Sequence, residues 1–399
     1  MGPMGNIFIP DDVYFILNRL CKCGYSAHIV GGCVRDMLIG ITPTDYDITT
    51  SATPDEVKAA FPEYKTVDTG IKHGTVSLIY RKAQYEITTY RTEGTYTDNR
   101  HPDSVSFTRT LALDLSRRDF TVNAMCADKD AHVTDLFGGM KHIEERVISA
   151  VGCPDQRFGE DALRILRALR FSAKLGFSLD AETERAVRDC SELLHNISVE
   201  RIYTELIKLV GADYAYGVIS RYADVILKVL PELGRIALPC RERFEKACDK
   251  VRMAALFALG APDASAAFHS AMKRLHTDSK TAKIGSLALS AMKCPMSRRG
   301  DILRLLYRLG DECATFTAEL CALVLGDDIP ERVVAAKKSG LPYKISDMAL
   351  GGAAFASAGF VGENIGRAME KTLFAIMDGE IGNTESEILA YINQLDRGV

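Results

Sequence analysis

The chain has 399 residues, of which 47% are hydrophobic, and a formal net charge of -4 at pH 7. This length and apolar content exclude a disordered chain and predict a globular protein of several domains. No apolar run reaches the roughly 18 residues of a membrane-spanning helix, and the N-terminal stretch MGPMGNIFIPDD lacks the basic and apolar regions of a signal peptide, so we expect a cytoplasmic protein without a membrane partner.

The first 140 residues mix helical and strand patterns. Apolar spacing predicts a helix over 11–23, the run AHIVGG predicts a short buried strand that ends in a glycine turn, and a turn of helix over 35–39 follows. Three further segments are strand-like: DYDITT, GTVSLIY and YEITTYR. This part of the chain is therefore expected to form a small α/β or α+β unit.

The glycine turn is expected to bind phosphate. Gly31 and Gly32 have no Cβ atom, so their backbone N–H groups can approach a polyphosphate closely, and the helix turn that follows adds its positive N-terminal end. Arg35, one turn further on, is a fork-shaped donor for the same phosphates. The stretch is not a P-loop, because no GK[ST] sequence follows it.

A pair of carboxylates follows the glycine turn. In a strand, alternate side chains share a face, so Asp45 and Asp47 are predicted to lie about 6 to 7 Å apart on one side of DYDITT. That arrangement suits one or two Mg²⁺ ions, which take oxygen ligands and stabilise the attacking and leaving oxygens of phosphoryl transfer. Such pairs also occur in ordinary turns, so the spacing alone leaves a structural role open.

A second basic cluster lies in the sequence RRDFTVNA over 117–124. Either of its arginines, Arg117 or Arg118, is placed to contact a triphosphate as a charged hydrogen-bond donor. The alternative is an exposed, charged end of a strand or helix.

The sequence EDALRILRALR over 160–170 has the periodicity of a helix. Three residues advance 300° on a helix, so Asp161, Arg164 and Arg167 are predicted to lie within roughly 120° of one another, with Arg170 about 180° from Asp161. A carboxylate and a guanidinium one turn apart can read the polar edge of a nucleobase. An i,i+3 ion pair on a solvated helix face remains the alternative.

The remainder of the chain is predicted to be helical, and its charge is uneven. From Arg235 to Arg308 there are fifteen Lys or Arg residues against six acids, whereas acids outnumber bases fourteen to seven from Leu309 to the end. A basic middle region is expected of a protein that binds a phosphate backbone. Solvated faces of ordinary helices account for the same charges equally well.

Five motifs together resemble those of one family. GGCVRD with DYD, RRDFTVNAM, DLFGG over 135–139, EDALRILRALRF and SVERIYTEL from Ser198 occur in the order and approximate spacing of the class II tRNA nucleotidyltransferases and poly(A) polymerases, most like the bacterial CCA-adding members. The resemblance implies an α+β fold, in which a nucleotidyltransferase head with a small mixed sheet precedes an elongated all-helical part. We expect a catalytic head over 1–140, a nucleotide-selecting helical neck over 141–215, a basic tRNA-binding body over 216–310 and a tRNA-binding helical tail over 311–399.

The resemblance also implies an enzyme that adds CCA to the tRNA 3′ end from CTP and ATP, without a nucleic-acid template, with Mg²⁺ as cofactor and no obligatory protein partner. Asp45 and Asp47 would hold the metal. Glu86 has the alternating pattern of a third catalytic acid, although it fits a structural ion pair equally well. With the glycine turn included, the implied nucleotide-binding residues are Gly31, Gly32, Arg35, Arg118, Asp161, Arg164, Arg167 and Arg170.

The sequence disfavours some of the products that members of this family make, but it leaves more than one open. The segment over 89–120 resembles the full-length form of a loop that CC-adding relatives lack in part, which disfavours C-only addition, and residues 70–75 lack the basic GRRF-like run of the poly(A) polymerases. An A-adding enzyme that completes tRNAs ending in CC remains the main alternative. A non-catalytic RNA-binding protein is a further alternative, which the intact DYD disfavours.

Overall fold

The structure, a computed structural model, describes residues 5–94 and 105–396. The chain forms two compact units, one that ends at Val229 and one that starts at Leu230. The boundaries predicted at 140, 215 and 310 would subdivide these units and stay predictions. Residues 95–104, which belong to the loop used above to disfavour C-only addition, lie outside the described residues.

The first unit is built around a mixed sheet. Its strands are β1 Ala27–Val30, β2 Ile48–Thr50, β3 Lys65–Gly70, β4 Thr75–Tyr80, β5 Ala83–Thr89, β6 Arg91–Glu93, β7 Val105–Phe107, β8 Met125–Ala127, β9 Val133–Asp135, β10 Val147–Ile148 and β11 Ser178–Leu179. Seven of them form one sheet in the order β3-β4-β5-β2-β1-β8-β9, while β6 pairs with β7 and β10 with β11. The predicted α+β class is confirmed, and the two-residue strands β10 and β11 are too short to show a pattern in the sequence.

The register of the central strands places three loops at one edge of the sheet. β1 runs antiparallel to both β2 and β8, so the end of β1 lies beside the beginnings of its two neighbours. β2 in turn pairs parallel with β5. Ile29, Ile48 and Ile87 are buried in these strands, as their branched side chains favour. The loops that carry the predicted glycines, carboxylates and RRDFTVNA therefore meet.

The helices of the first unit cover this sheet and continue beyond it. They are α1 Asp11–Lys22, α2 Gly32–Leu38, α3 Pro54–Ala60, α4 Leu111–Ser116, α5 Gly139–Glu145, α6 Pro154–Glu160, α7 Leu163–Leu175, α8 Ala181–Asp189, α9 Val199–Gly211, α10 Ala215–Arg221 and α11 Ala223–Val229. The helix predicted over 11–23 is confirmed as α1, which buries Ile16, Leu17 and Leu20 completely on one face. In the described chain α7 packs most extensively against α9 and α10 among its neighbours.

The second unit is helical throughout its described residues. Its helices are α12 Arg241–Lys246, α13 Asp249–Gly260, α14 Ala264–Arg274, α15 Ser279–Ala291, α16 Arg299–Val324, α17 Ile329–Lys338, α18 Gly352–Ser357, α19 Glu363–Asp378 and α20 Glu385–Ile392. α16 kinks at Gly310, where φ is 73°. Across the part of the chain that the structure describes, no helix is both long enough and apolar enough to cross a membrane.

Candidate active site

A cavity of about 300 Å³ lies where the three loops meet α7. This volume is at the lower end of the range for small-molecule sites. Eight of the predicted residues line it: Gly31, Gly32, Arg35, Asp45, Asp47, Arg118, Arg167 and Arg170. Three predicted residues, Glu86, Asp161 and Arg164, are not part of its lining. A larger cavity, of about 540 Å³, lies in the second unit and contains none of the predicted residues.

The glycine turn is shaped around an arginine. Gly31 has a φ of 81°, which favours glycine, and a Cβ atom there would lie 3.2 Å from Nη1 of Arg118. The Gly31 N–H donates to the carbonyl of Met125 at 3.0 Å, so this donor is used by the sheet. Gly31 therefore leaves space for the Arg118 side chain, a role that was not predicted from the sequence.

The carboxylate pair lies just outside a strand. The prediction that Asp45 and Asp47 sit within a strand is wrong, because β2 begins at Ile48. β1 ends at Val30, whose N–H donates to the Asp47 carbonyl at 3.0 Å, and the chain then turns away at Gly31. No further part of β1 is available to pair with the residues before Asp47. Both carboxylates still line the cavity.

The surroundings of Asp47 combine opposing charges. Asp47 keeps much of its surface exposed, yet desolvation of its carboxyl raises its pKa, the positive charge of Arg118 lowers it, and the like charge of Asp45 raises it, with a net increase. Neither Asp45 nor Asp47 forms an ion pair within 4.0 Å of any residue in ranges 5–94 and 105–396. Two neighbouring carboxylates without an ion-pair partner are a donor set that suits a hard cation.

Two other acidic groups lie outside the lining of the cavity. Glu86 precedes Ile87, which pairs with Ile48, so the register places Glu86 beside Asp47 on the exposed side of β5. Among the described residues, one group of three possible metal ligands has its ligand atoms within 4.8 Å of one another: Asp128, Asp130 and His132. That group is the turn between β8 and β9, in which Asp128 accepts the N–H groups of the other two residues at 2.9 Å. It is an exposed turn and lies outside the cavity.

Arg118 reaches the cavity from a buried anchor. Its Nη2 lies 3.4 Å from Oδ2 of Asp114, which is completely buried in α4. Asp114 also accepts Nε and Nη2 of Arg117, at 3.0 and 2.7 Å. The Nε atom of Arg118 is buried and has no hydrogen-bond partner among residues that the structure describes. Of the two arginines left open by the sequence, Arg118 lines the cavity and Arg117 does not.

The guanidinium of Arg35 is bound by protein groups and is not free to turn towards a phosphate. It is 3% exposed, its Nε and Nη2 donate to Oδ1 of Asp36 at 2.8 and 2.6 Å, and its Nη1 donates to Oδ1 of Asn123. The guanidinium of Arg35 therefore ties α2 to the RRDFTVNA loop at the base of the cavity.

The helix predicted continuously over 160–170 is interrupted, and this part of the prediction is wrong. α6 ends at Glu160, Asp161 is extended with φ -138° and ψ 101°, and α7 begins at Leu163. The Asp161 carboxylate accepts the N–H of Leu163 at 3.1 Å, which is how an aspartate stabilises the start of a helix. The shared helical face of Asp161, Arg164 and Arg167 therefore does not exist.

Asp161 and Arg164 are engaged within the protein. Asp161 forms an ion pair with Nη2 of Arg201 at 2.7 Å. Nη1 of Arg164 donates to Oε2 of Glu160 at 2.7 Å, and its Nη2 donates to the carbonyl of Arg117 at 3.1 Å. Their donors and acceptors meet protein groups in this structure.

Arg167 and Arg170, by contrast, form one wall of the cavity from α7. Arg167 donates through Nε and Nη2 to Oδ2 of Asp119 at 2.8 and 2.6 Å, and Nε of Arg170 donates to Oε2 of Glu205 at 2.5 Å. Asp119 raises the pKa of Arg167, whereas burial lowers the pKa of Arg170. Arg170, which helical geometry placed far from Asp161, is thus part of the lining.

Eight lining residues were not predicted from the sequence: Cys33, Asp36, Pro43, Thr44, Asp119, Asn123, Phe171 and Lys174. Asp119 and Asn123 lie inside the quoted RRDFTVNA, where an acid among arginines in an apolar context indicates a paired group. Phe171 and Lys174 lie one turn beyond Arg167 and Arg170 on the same helix.

Two family profiles match parts of this chain. The family profile described as "Poly A polymerase head domain" matches residues 27–149, and the one described as "Probable RNA and SrmB- binding site of polymerase A" matches residues 176–233. The first range contains the sheet and the loops of the cavity, and the second contains α9 with Glu205.

Individual relatives extend the similarity to almost the whole chain. The chain is 36% identical over 386 residues to a CCA-adding enzyme of Lactobacillus gasseri, a match that covers 95% of this chain and 96% of that one. A CCA-adding enzyme of Leuconostoc citreum is 51% identical over 217 residues, about half the length of each protein, at 54% and 53%. The crystal structure of the Bacillus stearothermophilus CCA-adding enzyme in complex with CTP is similar with a TM-score of 0.79 at 32% identity, over 95% of both chains.

Proposed function

The chain belongs to the family of CCA-adding enzymes, and on that premise we propose that it adds CCA to the 3′ end of tRNA from CTP and ATP. The observation that carries the proposal is the cavity of about 300 Å³, where Asp45 and Asp47 share the lining with Arg118, Arg167 and Arg170. A triphosphate and the divalent cation that accompanies it need an acidic pair and a set of guanidinium groups within one site. The structure of a relative with CTP supports this choice of substrate.

The donors of the cavity fit Mg²⁺. Asp45 and Asp47 offer hard oxygen ligands, and neither has an ion-pair partner in the described parts of the chain. When bound there, Mg²⁺ would supply Lewis acidity that favours attack by a hydroxyl and neutralises charge on the leaving phosphate. Glu86 is proposed as an accessory acid beside Asp47, on the basis of the β2–β5 register.

The residues of the chain position and neutralise the reacting groups. Arg118, Arg167 and Arg170 bind the triphosphate so that its α-phosphorus lies near the carboxylate pair. The tRNA 3′-oxygen forms a bond to that phosphorus as the bond to the β-phosphate oxygen breaks, pyrophosphate leaves, and the hydroxyl proton passes to solvent. Each of the three additions repeats these changes.

Selection of C or A is assigned to Asp161 and Arg164. For this role they must exchange their present partners, Arg201 and Glu160, for the edge of the incoming base.

The test is to sequence the products from tRNA that lacks its 3′ end. Purified protein with Mg²⁺ is given tRNAs that end before C, at C and at CC, with CTP and ATP supplied separately and together. We expect two C residues and then one A when both nucleotides are present. AMP addition only to the substrate ending in CC would contradict CCA addition and favour an A-adding enzyme. No incorporation with retained tRNA binding would favour the non-catalytic alternative.

A further inference from the structure

Phe171 occupies the centre of the basic wall of the cavity. It lies on α7, is 6% exposed and lines the cavity. Three guanidinium carbons lie close to its ring centroid: that of Arg170 at 4.1 Å, and those of Arg35 and Arg167 at 5.3 Å each. We refer to Arg35, Arg167 and Arg170 as the arginine cluster.

Three like charges around one ring need compensation. Each member of the arginine cluster pairs with a carboxylate: Arg35 with Asp36 at 2.6 Å, Arg167 with Asp119 at 2.6 Å and Arg170 with Glu205 at 2.5 Å. Glu205 also lies 3.6 Å from Nη1 of Arg167. The carboxylates neutralise charge from one direction, and the negative face of an aromatic ring attracts guanidinium groups from another. Each guanidinium is therefore held by a carboxylate and by the same ring.

The ring also joins two parts of the first unit. Arg35 belongs to α2, which follows the glycine turn, whereas Arg167 and Arg170 belong to α7. Behind Phe171, the fully buried Phe120 packs edge-on, with the ring centroids 5.8 Å apart and the planes at 76°. Phe120 restricts movement of the Phe171 ring, so the spacing between the α2 and α7 guanidinium groups is fixed.

We propose that Phe171 is a positioning residue for nucleotide binding, whose ring holds Arg167 and Arg170 at the spacing that receives the triphosphate of CTP and of ATP, with Arg35 linking α2 to the same ring. The inference rests on the function proposed above and adds to it the residue that organises the basic wall. Because the triphosphate is common to both nucleotides, weakening the contacts with the ring should impair the binding of both by a similar factor.

The sharpest test changes the charge distribution of the ring with little change in its shape. Phe171 is replaced by mono-, di- and trifluorinated phenylalanine, which progressively weakens the attraction for cations. The Kd of CTP and of ATP is measured by calorimetry without tRNA, and KM and kcat are measured in the addition assay. We expect Kd and KM to rise stepwise for both nucleotides, to about tenfold in the trifluorinated protein, with kcat nearly unchanged.

A matched series at Phe120 is the control, since this ring is fully buried and contacts Phe171. We expect fluorination there to leave Kd and KM close to wild type. Phe171→Leu, with its folding checked by thermal unfolding, should raise KM at least as much as trifluorination. A flat response across the Phe171 series, or an equal rise in the Phe120 series, would overturn the inference while leaving the proposed function intact. A wild-type protein that adds no nucleotide would overturn the proposed function and this inference with it.

Discussion

Asp114 is a buried carboxylate that holds Arg118 in position at the cavity. It has no exposed surface, and it accepts donors from Arg117 and Arg118 as well as the backbone N–H of Arg91 at 3.3 Å. An unpaired carboxylate in this position would be costly, so the arginines and Asp114 stabilise one another. Arg118 is therefore held ready at the cavity before any nucleotide binds.

This network predicts a specific response to acid. Burial alone would raise the pKa of Asp114, but the charges of Arg117 and Arg118 outweigh it and the pKa is lowered from 3.8. The ionised Asp114 carboxylate therefore stabilises the folded protein fully above pH 3.8. This stabilisation is lost as the pH falls through the lower pKa that Asp114 has in the folded state. The free energy of unfolding is measured by urea denaturation from about pH 5 downwards. It should fall more steeply with pH for wild type than for Asp114→Asn.

Asp68→Asn is the control for that comparison, because Asp68 pairs with Lys58 at an exposed position. An exposed pair contributes about 0–1 kcal/mol, so its removal should leave the acid response close to wild type. Parallel curves for wild type and Asp114→Asn would contradict the assignment.

Residues of this kind mark the limit of what the sequence predicts. The glycines, Asp45, Asp47 and the arginines were identified because their chemistry is local to a motif. Glu205 acts through Arg170, 35 residues away in the chain, so only the fold brings the two together. Asp114 lies three and four residues before Arg117 and Arg118, just outside the quoted pattern, and its burial could not be read from the sequence.

The break between α6 and α7 is the clearest case where a helical pattern misleads. The apolar residues of 160–170 satisfy one continuous helix, but Asp161 is extended and starts a new helix by accepting the Leu163 N–H. Aspartate side chains compete with the backbone in this way, which favours helix starts over helix interiors. Strand bounds show the same limit, since β2 is shorter than DYDITT because its partner β1 ends at Val30.

Two substitutions at Asp161 separate its local roles. Asp161→Ala removes both the acceptor for Leu163 and the ion pair with Arg201, whereas Asp161→Asn keeps the acceptor. We expect Asp161→Ala to lower the free energy of unfolding by about 1 kcal/mol more than Asp161→Asn, as loss of a helix cap does. Chemical denaturation measures this difference. Equal losses for the two variants would show that the cap does not stabilise α7.

Many basic residues of the second unit are bound by other groups of the protein. Several of the bases between Arg235 and Arg308 have acidic partners: Arg241 pairs with Glu245, Lys246 with Glu242 and Arg274 with Glu232. Arg252 is buried and donates to backbone carbonyls. Fewer than the fifteen bases counted in the sequence are therefore available for a phosphate backbone, and the sequence could not distinguish these groups.

This distinction predicts which lysines contribute to tRNA binding. Lys273 and Lys283 are exposed on α14 and α15, whereas Lys246 is paired with Glu242 at 2.7 Å. Changing Lys273 and Lys283 together to Gln should weaken tRNA binding and reduce the slope of log Kd against log salt by up to about two. Lys246→Gln should have a smaller effect. An unchanged slope in the double variant would contradict the assignment of this region to tRNA.

The most direct test of the proposed active site is to measure nucleotide incorporation by the Asp45→Asn and Asp47→Asn proteins. These changes keep the size of each side chain but remove the charge that would hold Mg²⁺ in the cavity. With tRNA lacking its 3′ end and both CTP and ATP, we predict that incorporation of CMP and AMP is abolished, while tRNA affinity and thermal stability stay close to wild type. Incorporation at the wild-type rate in either variant, or loss of tRNA binding in place of incorporation, would contradict the assignment of this cavity as the site of nucleotidyl transfer.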